Sequence, residues 1–184
     1  VYKRQVLYLA KVDHSNKIFK VLQNQKLFNP YQWQVRLFNF EQTQETYWQF
    51  NPDGQVTGFQ KIIEQDTPGA QLPQEQAKIL VENFLKTGPV EIDLENYHLI
   101  NNQMATNRSG RIDHSFTYAF KQPIDSIIPD TFRLTVKLCG DEVSSISQTV
   151  FIPESFTTEY ASLRSLNMLF SQIGGISTFI LIIT

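Results

Sequence analysis

The residues that most often carry chemistry are scarce in this chain. There is one cysteine, Cys139, and three histidines, His14, His98 and His114. A nucleophilic thiol needs a base and an electropositive pocket. No basic residue stands immediately beside Cys139, and a single cysteine cannot form an internal disulfide, so a structural thiol is expected. Asp113 and His114 could form a carboxylate–imidazole pair, but catalysis would need a third group. Adjacent residues on a strand also point to opposite faces, so His114 is expected to serve as a hydrogen-bonded strut at a strand entrance. The three histidines are too scattered to hold a structural zinc ion. Glu91, Asp93 and Glu95 read as a solvated acidic face rather than a metal site. Asn107-Arg108-Ser109 fits the N-glycosylation pattern. Trp33, Tyr47 and Trp48 read as core and edge packing rather than a ligand platform. There is no His-Glu-x-x-His, no Gly-x-Ser-x-Gly, no phosphate-cradling loop and no Cys-x-x-Cys. No residue is therefore assigned a catalytic, cofactor-binding or metal-binding role.

The elements that would position any site are easier to read. Trp33, Val35 and Leu37 alternate as a half-buried strand after the Asn29-Pro30 breaker. Residues 45–50 form a second strand, Asn51-Pro52-Asp53-Gly54 a hairpin turn, and a third strand runs from 55 to about 63. Residues 73–86 carry the clearest helix: Ala77, Leu80, Val81, Phe84 and Leu85 make one apolar stripe. Pro73 suits the first turn and Gly88-Pro89 the end. Residues 97–100 read as a short strand, and the polar residues 101–111 as a loop. Strands at 116–120 and 132–138, a Gly140-Asp141 turn and a last strand over 143–152 follow. Residues 6–30 are ambiguous, with Ile18, Val21 and Leu22 at helical spacing. Truncating Phe84 to alanine is expected to cost about 3–5 kcal/mol, as for a buried aromatic.

The two halves repeat in order. The strands and turn at 34–59 recur at 116–146, with an offset of about 87 residues. The expected fold class is α+β: two helix-plus-antiparallel-meander units of PepSY or cystatin-like form, each meander beneath its helix, then the start of a transmembrane helix. The first unit, incomplete, spans 6–66 with its helix in 13–28; the second spans 67–155. Residues 156–165 would be juxtamembrane and 166–184 a truncated membrane helix, because the 20 residues 165–184 carry no charge and about 20 apolar residues cross a bilayer. Val1-Tyr2-Lys3-Arg4-Gln5 reads as translated sequencing adapter and is set aside.

With 184 residues, 41% of them hydrophobic, the chain can build a core. Lys and Arg number 16 against 18 Asp and Glu. That balance, with no basic stripe, argues against a nucleic-acid partner. Between Lys137 and the apolar run only Arg164 is basic, which favours an extracytoplasmic domain on a cell membrane.

Five stretches, in order, resemble the N-terminal non-catalytic region of bacterial intramembrane metalloproteases of the CAAX-processing and bacteriocin-processing family. They are Trp33 to Phe38, Asn51 to Phe59, Asp66 to Ala70 leading into the Glu75 helix, Arg111 to Tyr118, and Glu159 to Asn167. The helix-and-meander repeats separately resemble PepSY-type domains. The resemblance implies an accessory domain for substrate recognition or regulation, with peptide or protein substrate and the lipid bilayer as partners. It also implies that the metal, zinc or another divalent ion, and the paired-glutamate motif lie on membrane helices beyond Thr184, so this chain carries no cofactor. Pro73 departs from the family's serine-type helix cap. Two other readings remain: a PepSY-type binding module on a single-span protein, and a small soluble cystatin-like enzyme using Asp113 and His114.

Overall fold

The computed structural model describes residues 2–12, 17–24, 27–40, 43–90, 92–121 and 130–183; side chains are described for fewer of these, and not for 172–183. The chain divides into two compact units, Val1–Phe151 and Ile152–Thr184.

In the first unit, helices α1 (Tyr2–Val12) and α2 (Lys17–Asn24) precede β1 (Trp33–Phe38), β2 (Glu45–Phe50) and β3 (Val56–Lys61). Helix α3 (Gln74–Thr87) and a 3-10 turn (Leu94–Asn96) lead into β4 (Tyr97–Thr106), β5 (Ile112–Phe120), β6 (Phe132–Cys139) and β7 (Glu142–Val150). All seven strands form one antiparallel sheet in the order β1-β2-β3-β7-β6-β5-β4. The architecture is therefore α+β, and the two meanders join at their last strands. At that junction Phe59 stands opposite Ile146 and Gln60 opposite Ser145. A Cβ added to Gly58 would lie 2.6 Å from the Ile146 carbonyl oxygen. Only a residue without a side chain lets the two strands approach this closely.

The core lies on one face of this sheet. Ala77, Val81 and Leu85 of α3 are buried against it. From the strands come Phe59, Phe116, Tyr118, Leu134, Val136, Leu138, Val143 and Ile146. Successive side chains alternate between faces, so β5, β6 and β7 present Ser115, Thr117, Thr135, Ser145, Ser147 and Thr149 on the other face. Leu80 and Phe84 complete the expected stripe but are only partly buried, Phe84 with its ring 6.0 Å from that of Phe59. Pro73 caps α3 without any side-chain hydrogen bond. A partly buried ring loses less on truncation than a core aromatic does, so the expected cost for Phe84 falls to about 2 kcal/mol.

Three local expectations change. Residues 101–106 are strand, not loop: β4 runs to Thr106 and turns back through Asn107 and Gly110. An edge strand with water on both sides shows no hydrophobic period, so nothing in its composition marks it. The third strand ends at Lys61, short of Ile63. Trp33 is 67% exposed rather than packed, because no described helix covers β1. In the region set aside or left ambiguous, Gln5 is buried and its side-chain amide donates to the Val150 carbonyl at 3.4 Å. Leu9 and Leu22 are fully buried. The helix expected over 13–28 is present as α2, while 13–16, 25 and 26 lie outside the described residues.

The second unit is helix α4 (Glu154–Ile183). It joins the expected juxtamembrane and membrane segments into one element. Glu154, Glu159 and Arg164 keep its first turns polar. Leu163, Leu166, Met168 and Phe170 are exposed along it. Among the described residues no helix is long and apolar enough to cross a membrane. The apolar side chains from 172 onward lie outside the described set.

Candidate binding groove

Each residue singled out for chemistry has a definite place. His114 is 2% exposed on the helix side of β5. Its Nε2 lies 2.9 Å from the Leu72 carbonyl oxygen, and the ring stacks on Phe116 with centroids 5.9 Å apart. A carbonyl can only accept, so Nε2 carries the proton and Nδ1 is left as an acceptor. Asp113 does not meet His114; it receives both Nε and Nη2 of Arg111, at 2.7 and 3.1 Å. The pair is separated by strand alternation. Cys139 is opposite Asp113 across the β5–β6 ladder, and its thiol donates to Ser144 Oγ at 3.2 Å. His98 lies 3.3 Å from Asp130 at the surface. Asp93 caps the 3-10 turn by accepting from the Glu95 amide at 3.1 Å. His14 and Glu91 lie outside the described residues. Among the described residues no three His, Cys, Asp or Glu side chains could jointly hold a metal. Asn107 shapes the β4–β5 turn, accepting from Ser109 N and Oγ at 3.1 and 2.7 Å. Its Nδ2, the atom a glycan would occupy, is buried.

Tyr47 and Trp48 divide their roles. Trp48 packs on Phe59, ring centroids 5.2 Å apart. Tyr47 donates to Glu45, which also takes Arg36 as an ion pair. The Arg36 and Tyr47 hydrogen bonds hold the Glu45 carboxyl below its ordinary range.

Arg111 is the residue that sequence reasoning passed over. It is 3% exposed. Besides Asp113, its Nη1 donates to the Thr67 carbonyl at 2.7 Å and the Glu64 carbonyl at 3.3 Å. The Asp113 bond, ahead of an opposing burial effect, raises its pKa above the ordinary value. Gly69 packs against the Arg111 stem, and Gly140, at φ +66°, sits against both Ala70 and Arg111. The guanidinium therefore latches the 64–70 loop to the end of β5. Two glycines at turns 71 residues apart (140 minus 69) were its only sequence signal.

That loop feeds α3, and between α3 and β4 lies the feature most suited to recognition. A groove of about 350 Å³ has walls of Leu94, Tyr97 and Leu99 and Tyr118 in its floor. Its rim carries Lys78, Lys86, Glu82 and Glu95, two charges of each sign. Tyr118 is 3% exposed, and its hydroxyl has no hydrogen-bond partner. Burial, reinforced by the Glu82 charge, pushes that hydroxyl up to about 12. Burial does the same to Tyr97. Both are therefore neutral donors at any physiological pH. Two further orphaned atoms lie on the same ribbon: Asn102 Oδ1 and His114 Nδ1. Asn102 stands opposite Phe116 in register, on the helix side of β4. Buried polar atoms usually find partners. Three such atoms lie on the β4–β5 ribbon, and of their residues Tyr118 lines the groove.

Comparison of the chain with protein families, with curated proteins and with solved structures gives no match. Among the described residues, fold and groove define an antiparallel α+β domain whose last strand, β4, is paired on one side only and lies beside a helix.

Proposed function

We propose that this chain is a non-catalytic recognition or regulatory domain attached to a membrane-embedded metalloprotease of the CAAX-processing and bacteriocin-processing type. Its two helix-and-meander units would be PepSY-like and sit outside the cytoplasm, with α4 continuing as a membrane span. The observation that carries the reading is α4 itself. Leu163, Leu166, Met168 and Phe170 are exposed on it, and no charge follows Arg164. Apolar side chains presented this way call for a lipid or protein cover. The two-unit reading draws support from the junction, where Phe59 and Ile146, equivalent under the 87-residue offset, pair with each other. Such pairing is what a two-fold relation between repeats would give. On the resemblance, the metal and the water-activating glutamate would belong to helices further along the protein.

The test is the gene beyond codon 184. Several more apolar spans and a helix with paired glutamates are expected there. A single span followed by a short tail would favour the PepSY-type module without a protease. A soluble continuation would end the membrane reading.

A further inference from the structure

From the groove between α3 and β4 we infer that this domain binds an extended, uncharged peptide as an eighth strand along the free edge of β4, with hydroxyl or amide side chains turned toward α3. The inference rests on the recognition role proposed above and names its ligand.

Among the described residues β4 is the last strand of the sheet, paired only with β5. It is ten residues long and contains no lysine, arginine, aspartate, glutamate or proline. Edge strands that must stay unpaired are usually short, or guarded by lysine or proline. β4 has a single irregularity, at Leu99/Asn101, which leaves 101–106 regular and unguarded. A chain adding there would gain main-chain hydrogen bonds. Its alternate side chains would fall on the helix side, where the groove begins, a mode in which pockets for every second residue set specificity.

The groove selects the chemistry of those side chains. Lys78 and Glu82 face each other at 3.9 Å, and Lys86 and Glu95 carry one charge each, so the rim is balanced and favours neither an acidic nor a basic ligand. The Tyr118 hydroxyl in the groove offers a donor without an acceptor, and Asn102 Oδ1, on the same face of β4 but beyond the residues that line the groove, an acceptor without a donor. An asparagine or glutamine side chain can satisfy both kinds, and serine or threonine either one. A purely apolar side chain would contact Leu94 and Leu99 but leave the buried hydroxyl unpaired, which costs affinity.

The experiment is binding of the full chain to an array of synthetic ten-residue peptides without charged residues, each carrying Asn, Gln, Ser, Thr, Leu or Ala at its central positions. The tightest peptides are then measured by fluorescence anisotropy, with sedimentation to record the oligomeric state. Amide- and hydroxyl-bearing peptides should bind best. Methylating alternate backbone amides of the best peptide should abolish binding, because an N-methyl group cannot join a ladder. Tyr118→Phe, which keeps the ring packing, should weaken that peptide about tenfold while leaving the leucine peptide within about twofold. Binding that survives both N-methylation and Tyr118→Phe would overturn the β4 mode and leave the recognition role standing. No binding by any peptide would overturn the peptide inference, while the accessory-domain reading stands or falls with the gene beyond codon 184. A dimer that competes with peptide would show that β4 pairs with a second copy of the chain, and would overturn the peptide as its natural occupant.

Discussion

The two ends of the sheet carry similar sequence patterns and have opposite fates. In β5 and β6, Phe116, Tyr118, Leu134, Val136 and Leu138 alternate with polar residues, and all five are buried. In β1, Trp33, Val35 and Leu37 alternate in the same way, yet they are 67%, 44% and 55% exposed. The difference is α3, which lies over the former and meets Phe59 of β3 through Phe84, with Trp48 of β2 packed on Phe59 in turn. Alternation determines which residues share a face; only a second layer decides whether that face is dry. The covered end supplies stability, and the edges supply surface to which another chain can add.

Mutations should separate the two ends. The largest effect is expected from Phe116→Ala, whose ring is fully buried; denaturant unfolding should show a loss of about 3–5 kcal/mol. A loss under about 1.5 would mean that the covered end is not the core. Next comes Asp113→Ala, which leaves the Arg111 guanidinium buried without its carboxylate, an expected cost of about 3 kcal/mol. Replacing Arg111 and Asp113 together, with Met and Ala, should cost less than the sum of the two single changes; simple additivity would contradict the latch. Gly58→Ala pushes a methyl group into the Ile146 carbonyl and should cost about 2 kcal/mol, with β1–β3 amides losing protection before those of β5–β7. Uniform loss of protection would argue that the meanders do not meet there. The smallest effect is expected from Trp33→Ser, within about 0.5 kcal/mol; a large destabilisation would reveal a hidden cover on β1.

A pH scan sharpens the same contrast. Tyr97 and Tyr118, at the covered end, ionise near 12 when folded against 10.0 for the free side chain. Above pH 10 the unfolded chain loses these protons first, so the folded state binds more of them. Stability should be full below about pH 10 and fall as pH rises toward 12. Tyr118→Phe should flatten part of that fall, and an unchanged profile in the variant would show that the hydroxyl is not desolvated.

Much of this fold could be read along the chain. Ala77, Val81 and Leu85 announced α3 through their spacing, and Asp53-Gly54 and Gly140-Asp141 announced their turns. The structural placing of His114, and its separation from Asp113, followed from strand alternation. The rest needed the third dimension. Residues 101–106 have no apolar period because β4 faces water, so its length, and with it the free edge, stayed hidden. The Arg111 latch joins residues 44 to 47 positions apart, beyond the reach of any local pattern. The groove is made of a helix face and a strand that are adjacent only after folding, and an orphaned hydroxyl such as that of Tyr118 has no signature in sequence at all.

The free β4 edge beside a covered core is the claim on which the rest depends, and amide hydrogen exchange measured residue by residue in the full chain tests it most directly. Amides of β5, β6 and β7 should exchange only through global unfolding, while the outward-facing amides of β4 over 101–106 exchange orders of magnitude faster. Adding the preferred uncharged peptide should slow those β4 amides and leave β1 unchanged. Outward β4 amides as protected as those of β6 in the free monomer would contradict the account, because the edge would then already be occupied.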